Sequence, residues 1–211
     1  MSRFFHAIET ARAVSAGGGR HLAEPSRLPG QVQASDLPVL RLWQVVEAKL
    51  ADHPRRVVQI VPCGEGEHDP AVAVRLARLA GRSMAGGVLL LNQIESESRM
   101  DDDGHVMRGP LPGRAGDARA LNPHLLEAYW QHLAEQADLI ILDTPPVLSS
   151  PLAQALAPTV DGIILVVEAE RTRTDVALAA KRALASAGAN ILGVVLNKRR
   201  YHVPKLLYDR L

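Results

Sequence analysis

The sequence predicts an α/β fold, a three-layer sandwich with a mainly parallel sheet, and three observations carry that prediction. Five short runs are dominated by apolar, often β-branched residues: 57–63 (VVQIVPC), 87–92 (GVLLLN), 138–146 (DLIILDTPP), 162–169 (GIILVVEA) and 190–197 (NILGVVLN). Stretches with helical spacing or helix caps alternate with them. Strands that are apolar on both faces need cover on both faces, and helices that cross between parallel strands provide it. Finally, 211 residues with 47% hydrophobic and 22% charged side chains suit a soluble globular chain with a full core.

In chain order, residues 1–12 (MSRFFHAIETAR) read as an N-terminal amphipathic helix with Phe4, Phe5 and Ile8 on one face. Residues 13–35 include Gly17, Gly18, Gly19, Pro25, Pro29 and Gly30 and read as a flexible linker. The main domain is then 36–211. Asp36 is placed to cap a helix with Pro38 in its first turn and Leu40, Trp43, Val46 and Leu50 on its apolar face. Residues 64–70 (GEGEHDP) form a loop and 71–82 a helix. Residues 104–116 are rich in Gly and Pro and read as a loop after an acidic stretch, Glu95 to Asp103. Asn122 caps a helix that starts at Pro123 and buries Leu126, Tyr129, Trp130 and Leu133. A last clear helix opens at Thr174 and ends near Ala187 before Gly188. The tail 198–211 is basic and reads as a C-terminal helix.

Composition excludes several function classes. Lys plus Arg is 24 against 23 Asp plus Glu, a net charge of +1, and aromatics are 3%. That is too little basic excess for a nucleic-acid coat and too few rings for a base-stacking surface. A single cysteine, Cys63, leaves no intramolecular disulfide and no cysteine zinc cluster; it reads as core. No apolar run approaches the roughly 18 residues of a membrane span, and the start lacks a secretory core, so a cytoplasmic protein is expected.

Ligands of parallel α/β sheets bind at the carboxyl ends of the strands. Those ends are Gly64 to Asp69, Asn92 to Ile94, Asp143 to Pro146, Glu168 to Arg173, and Asn197. His68 among Glu65, Glu67 and Asp69, and His105 beside Asp101 to Asp103, are carboxylate–imidazole groupings that raise a divalent metal. Neither has a recognised ligand spacing, so no metal is expected.

DLIILDTPP, VDGIILVVEAERTRTD and ILGVVLN together resemble the cytoplasmic ATPase domain of bacterial tyrosine kinases (BY-kinases), in the deviant-Walker group that includes MinD and ParA. The opening MSRFFHAIETAR is similar to the start of exopolysaccharide-cluster members of that family. The resemblance, over roughly 36–208, implies a P-loop NTPase type of sheet. It implies that the loop after the first strand would cradle phosphates with backbone N–H groups, a lysine and a hydroxyl, as in GEGKST. Here Gly64 and Gly66 keep the glycines, Glu67 stands at the lysine position, and His68 and Asp69 stand at the hydroxyl positions. The family's Asp-x-Asp becomes Asn92-Gln93-Ile94. Its E-x-x-R-x-x-R assembly motif aligns with Pro38, Arg41 and Gln44, and its tyrosine cluster is reduced to Tyr201 and Tyr208. Asp143 matches the Walker B aspartate, and Asn197 the residue that would read adenine.

Three acids in one phosphate loop oppose a polyphosphate. At an effective dielectric of about 20, each like-charge contact near 4 Å costs on the order of 4 kcal/mol before screening. The expectation is therefore a pseudo-ATPase without catalytic residues and without bound ATP or Mg²⁺. It would be a non-catalytic accessory or regulatory protein of exopolysaccharide, capsule or adhesin biosynthesis and export. The expected partners are a polysaccharide co-polymerase-like inner-membrane protein, a glycosyltransferase or a true BY-kinase subunit, with a homodimer also open and peripheral placement at the inner membrane. Phe4, Phe5, Lys198, Arg199, Arg200, Lys205 and Arg210 are candidate partner or membrane contacts. Two alternatives stay open. One is a working ATPase or kinase that borrows a cation such as Arg171 or Arg173. The other is a MinD/ParA-like positioning factor whose basic tail, with Leu206, Leu207 and Leu211, lies on lipid.

Overall fold

A computed structural model describes residues 37–65, 69–102, 104–113 and 118–198. The expected N-terminal helix and linker lie outside the described residues, as do Gly66, Glu67, His68 and the tail from Arg199.

The elements run α1 (Leu37–Leu50), β1 (Val57–Pro62), α2 (Ala71–Ser83), β2 (Val88–Asn92), β3 (Arg99–Met100), β4 (Val106–Pro110), α3 (Pro123–Ala134), β5 (Leu139–Asp143), α4 (Pro151–Leu156), β6 (Gly162–Glu168), α5 (Thr174–Ser186) and β7 (Ile191–Asn197). The seven strands form one sheet in the order β3-β4-β2-β5-β1-β6-β7, parallel except for β3 against β4. All five expected strands are present, and the central ones are buried along their whole length.

Two apolar layers sandwich the sheet. On one face α1 and α2 bring Trp43, Val46, Leu50 and Leu76 against Val58, Ile60, Leu90, Ile141 and Ile164. On the other, α3, α4 and α5 bring Leu126, Trp130, Leu133, Leu152, Ala180 and Leu184 against Val57, Val61, Ile140, Leu142, Ile163 and Leu165. Each fully buried Leu or Ile contributes roughly 1.5–3 kcal/mol by leaving water. Cys63 is buried in the second layer, as a core residue.

Local chemistry sets the helix ends. Asn122 Oδ1 accepts from His124 N at 3.0 Å, and Pro123 opens α3 where its missing N–H costs nothing. Trp130 is fully buried, and its Nε1 donates to Thr159 Oγ1 at 3.0 Å, so the indole carries no unpaired donor into the core. Gly188, with φ 79°, turns the chain out of α5. Gly162 is closely approached by a side chain: a Cβ there would lie 2.3 Å from Leu192 Cδ1, so the leucine would have to shift. The glycine of the VDG segment thus makes room for Leu192.

Two expectations need correction, and one helix is additional. Residues 104–116 are not all loop, because 106–110 form β4, which pairs with the free side of β2 in register Val88↔Val106 to Asn92↔Pro110. Backbone pairing to an open edge outweighs the Gly109-Pro110 signal. The turn after Pro145-Pro146 leads into an additional helix, α4, capped by Ser150 Oγ accepting from Leu152 N at 3.3 Å. The five-strand reading also expected every strand to be covered on both faces, yet on β7 Val194 and Leu196 are 61% and 54% exposed.

Candidate functional site

The carboxyl ends of β1, β6 and β7 converge because these three strands are neighbours, with Pro62 opposite Val166 and Glu168 opposite Asn197. The loop after β1 returns to the sheet at Asp69, immediately before α2. Its carboxylate is the centre of a small polar network. Oδ1 accepts from Ala71 N at 3.0 Å, satisfying one of the open N–H groups of the helix start. Oδ2 accepts from Asn197 Nδ2 at 3.2 Å. Lys198 Nζ stands 3.9 Å from the same oxygen and 3.4 Å from Glu168 Oε1. Arg171 lies 3.7 Å from Glu168 Oε2, a buried oxygen without a hydrogen bond in this structure.

The charge here is balanced by the chain itself. A helix N-terminus with free N–H groups attracts anions. In this chain a carboxylate two residues before Ala71 already takes that place, with an amide and an ammonium group closing over it. Lys198 adopts φ 54°, the left-handed conformation that few side chains take, as the chain leaves β7.

The other candidates are placed as follows. Gly64 is buried at the end of β1, and Glu65 is exposed. Asn92 is 5% exposed and ends β2; its Oδ1 accepts from Ile94 N and Glu95 N, both at 2.8 Å, so its side chain caps its own loop. Asp143 is 2% exposed and sits opposite Asn92 and Ile60 in the sheet register. Next to it, Thr144 Oγ1 donates to Ile60 O at 3.1 Å and accepts from Gln59 Nε2 at 3.2 Å, a buried tie beneath the site. Gly66, Glu67, His68, Phe4, Phe5, Arg199, Arg200, Lys205 and Arg210 lie outside the described residues. Arg173 pairs with Asp175 at 3.4 Å on the surface.

The structure thus brings Asp69, Asn197 and Lys198 together. It adds Glu168, which the sequence marks only as an acid at the ligand end of a strand. Lys198, a candidate partner or membrane contact, is half-exposed and lies between two carboxylates. His105 and Asp101 form a turn, with Asp101 Oδ1 accepting from His105 N and Val106 N at 3.1 Å. Among the described residues no group of three or more His, Cys, Asp or Glu is disposed to hold a metal ion. No helix among them is long and apolar enough to cross a membrane.

The mostly parallel seven-stranded sheet in this order, covered by helices on both faces, is the P-loop NTPase type of α/β fold found in BY-kinase domains and MinD. The comparisons with individual proteins are consistent with that class. Tyrosine-protein kinase YwqD of Bacillus subtilis is 34% identical over 113 residues, which cover 51% of this chain and 44% of that protein. The chain therefore matches less than half the length of this curated relative. The kinase domain of Escherichia coli tyrosine kinase ETK superposes with a TM-score of 0.66 at 17% identity, covering 92% of this chain and 90% of that one. The MinD cell division protein of Aquifex aeolicus gives 0.55 at 15% identity, covering 74% and 72%. No protein-family model matches the chain.

Proposed function

We propose that this protein is a non-catalytic relative of the BY-kinases that serves polysaccharide biosynthesis and export as an accessory or regulatory subunit. One observation carries the reading: the Asp69 carboxylate occupies the N-terminus of α2, bonded to Ala71 N and Asn197 Nδ2 and flanked by Lys198. A phosphate arriving there would meet a fixed negative charge where its relatives offer N–H groups, a lysine and a hydroxyl. An adenine would have to displace Asp69 to reach Asn197. Glu67 at the lysine position and Asn92 in place of a carboxylate support the same conclusion. Neither ATP nor Mg²⁺ is then a cofactor. The partners that fit are a polysaccharide co-polymerase-like membrane protein, a glycosyltransferase or a catalytically complete tyrosine kinase subunit. Pro38, Arg41 and Gln44 are all exposed on α1, so the face aligned with the ring-assembly motif is open to such a subunit.

A second reading, an ATPase with a rebuilt site, is favoured by Lys198, a cation beside the loop that could replace the missing lysine. Isothermal titration with ADP and ATP in the presence of Mg²⁺ separates the two. The non-catalytic reading expects no heat at millimolar nucleotide. Micromolar binding, with ATP hydrolysis abolished by Asp143→Ala, would replace it with the rebuilt ATPase.

A further inference from the structure

β3 and β4 set two arginines against each other. Arg99 and Arg108 are direct partners in the antiparallel pair, so both side chains stand on the same face of the sheet. That face is the one α2 covers. Arg108 lies opposite Leu90 of β2 and two residues beyond Val106, and both of those residues belong to the layer under α1 and α2. Like charges directly opposite each other in a ladder are unfavourable. Arg99 is 66% exposed and meets Glu95 at 2.9 Å. Arg108 is partly buried, and its Nε is buried and donates to nothing in this structure. Among the described residues Arg108 makes no ion pair. A guanidinium nitrogen taken out of water without an acceptor is costly; native proteins carry few such groups, and an ion is one of the things that completes them.

α2 adds a third cation along this edge. It joins β1 to β2 and runs against the direction of the parallel strands. It passes over the start of β4, where a Cβ on Gly81 would come within 3.0 Å of His105 O. Arg78 lies one turn before Gly81 on that flank of the helix and is exposed. Measured from the Gly81–His105 contact toward the carboxyl ends of the strands, Arg78 is about 4.5 Å along by helix rise and Arg108 about 10 Å along by strand rise. The two levels differ by about 5 Å, within the reach of two arginine side chains. The 13 residues of α2 contain no acid. Asp101, at the turn between β3 and β4, has Oδ1 committed to His105 N and Val106 N. Three cations thus stand against one carboxylate, Glu95, a net of +2. A carboxylate ligand would answer half of that charge. A phosphate monoester, at about −1.5 to −2 near neutral pH and with three acceptor oxygens, matches it.

We propose that Arg108, Arg99 and Arg78 form a binding site for a phosphate monoester group on the α2 face of the β3–β4 edge. Arg108 is its anchor, with Arg99 and Arg78 closing from the two sides. Guanidinium forks suit this ligand because each offers paired N–H donors to two oxygens. Two strands, β2 and β5, separate β4 from β1, so the site is distinct from the network around Asp69 and independent of the nucleotide question.

Titration of the full chain with glycerol phosphate at constant ionic strength tests it, read on the arginine Nε–H signals by NMR. The expected result is a saturable shift of the Arg108 signal, with acetate binding at least about tenfold more weakly. Arg108→Met abolishes the response of the remaining arginine signals. Arg99→Gln, at an exposed position that the fold does not depend on, weakens binding at least about threefold. A second arm uses phosphatidylcholine vesicles containing phosphatidic acid; flotation that is lost in Arg108→Met, without a response to the soluble ester, would place the phosphate on a lipid headgroup. No response to either probe would overturn the proposal. So would equal binding of acetate, or binding that both Arg108→Met and Arg99→Gln leave unchanged.

Discussion

Both ends of the sheet carry a cation between two carboxylates, and the two are built to different standards. At the amino ends of the strands, Arg55 is 12% exposed and lies 3.3 Å from Asp161 and 2.7 Å from Glu127. It also donates to Thr159 O at 3.3 Å, while the 10%-exposed Asp161 accepts from Val57 N at 2.8 Å. At the carboxyl ends, Lys198 is 44% exposed and stands 3.4 and 3.9 Å from its two acids. The same charges therefore do different work. Arg55, with its planar fork and a buried partner bonded to backbone, clamps the start of β1 to the approach to β6. Lys198, a solvated point charge, neutralises a loop without fastening it. Burial and hydrogen bonding, not the presence of an ion pair, separate a structural clamp from a weak surface contact.

Asp161→Ala should show the largest effect. It strands the Arg55 guanidinium beside a half-exposed Glu127 and leaves Val57 N unpaired, for a loss of about 3 kcal/mol in urea unfolding. A loss under about 1 kcal/mol would break the contrast between the two ends. Lys198→Met should cost no more than about 1 kcal/mol, because an exposed pair at these distances is weak, and 0.5 M salt should erase most of the difference.

The smallest effect at neutral pH belongs to Tyr129, two residues beyond Glu127 on α3, where burial raises the phenol above its usual value near 10. The folded protein keeps this proton where the unfolded chain releases it. The unfolded state binds fewer protons above pH 10, so stability is whole below that point and falls as pH climbs past it. Tyr129→Phe should remove that part of the alkaline loss in a pH series of melting temperatures, and leave both clusters untouched.

Much of this architecture is legible in the residues themselves. The five long apolar strands announce parallel pairing because each must be covered twice, and Asn122-Pro123 and Gly188 mark helix ends through local chemistry alone. β4 is not legible: Arg108, Gly109 and Pro110 carry no period, and its strand geometry comes from the vacant side of β2. α4 is too short for a 3.6-residue repeat to emerge, and only Ser150-Pro151 betrays it. In the candidate site, Asp69 and Asn197 are marked by position, since each follows an apolar run. Their bond joins residues 128 apart in sequence, and the partnership of Lys198 with Glu168 depends on the β6–β7 register, which no spacing encodes.

The carboxylate at the start of α2 has a further consequence. Tethered two residues from the N–H it binds, it is present at an effective concentration fixed by a very short piece of chain, a quantity that dilution and metabolism do not alter. On the non-catalytic reading, this helix terminus is a receptor permanently saturated by its own ligand. On that reading the surface is constant in time, and regulation would come from whether a partner is present.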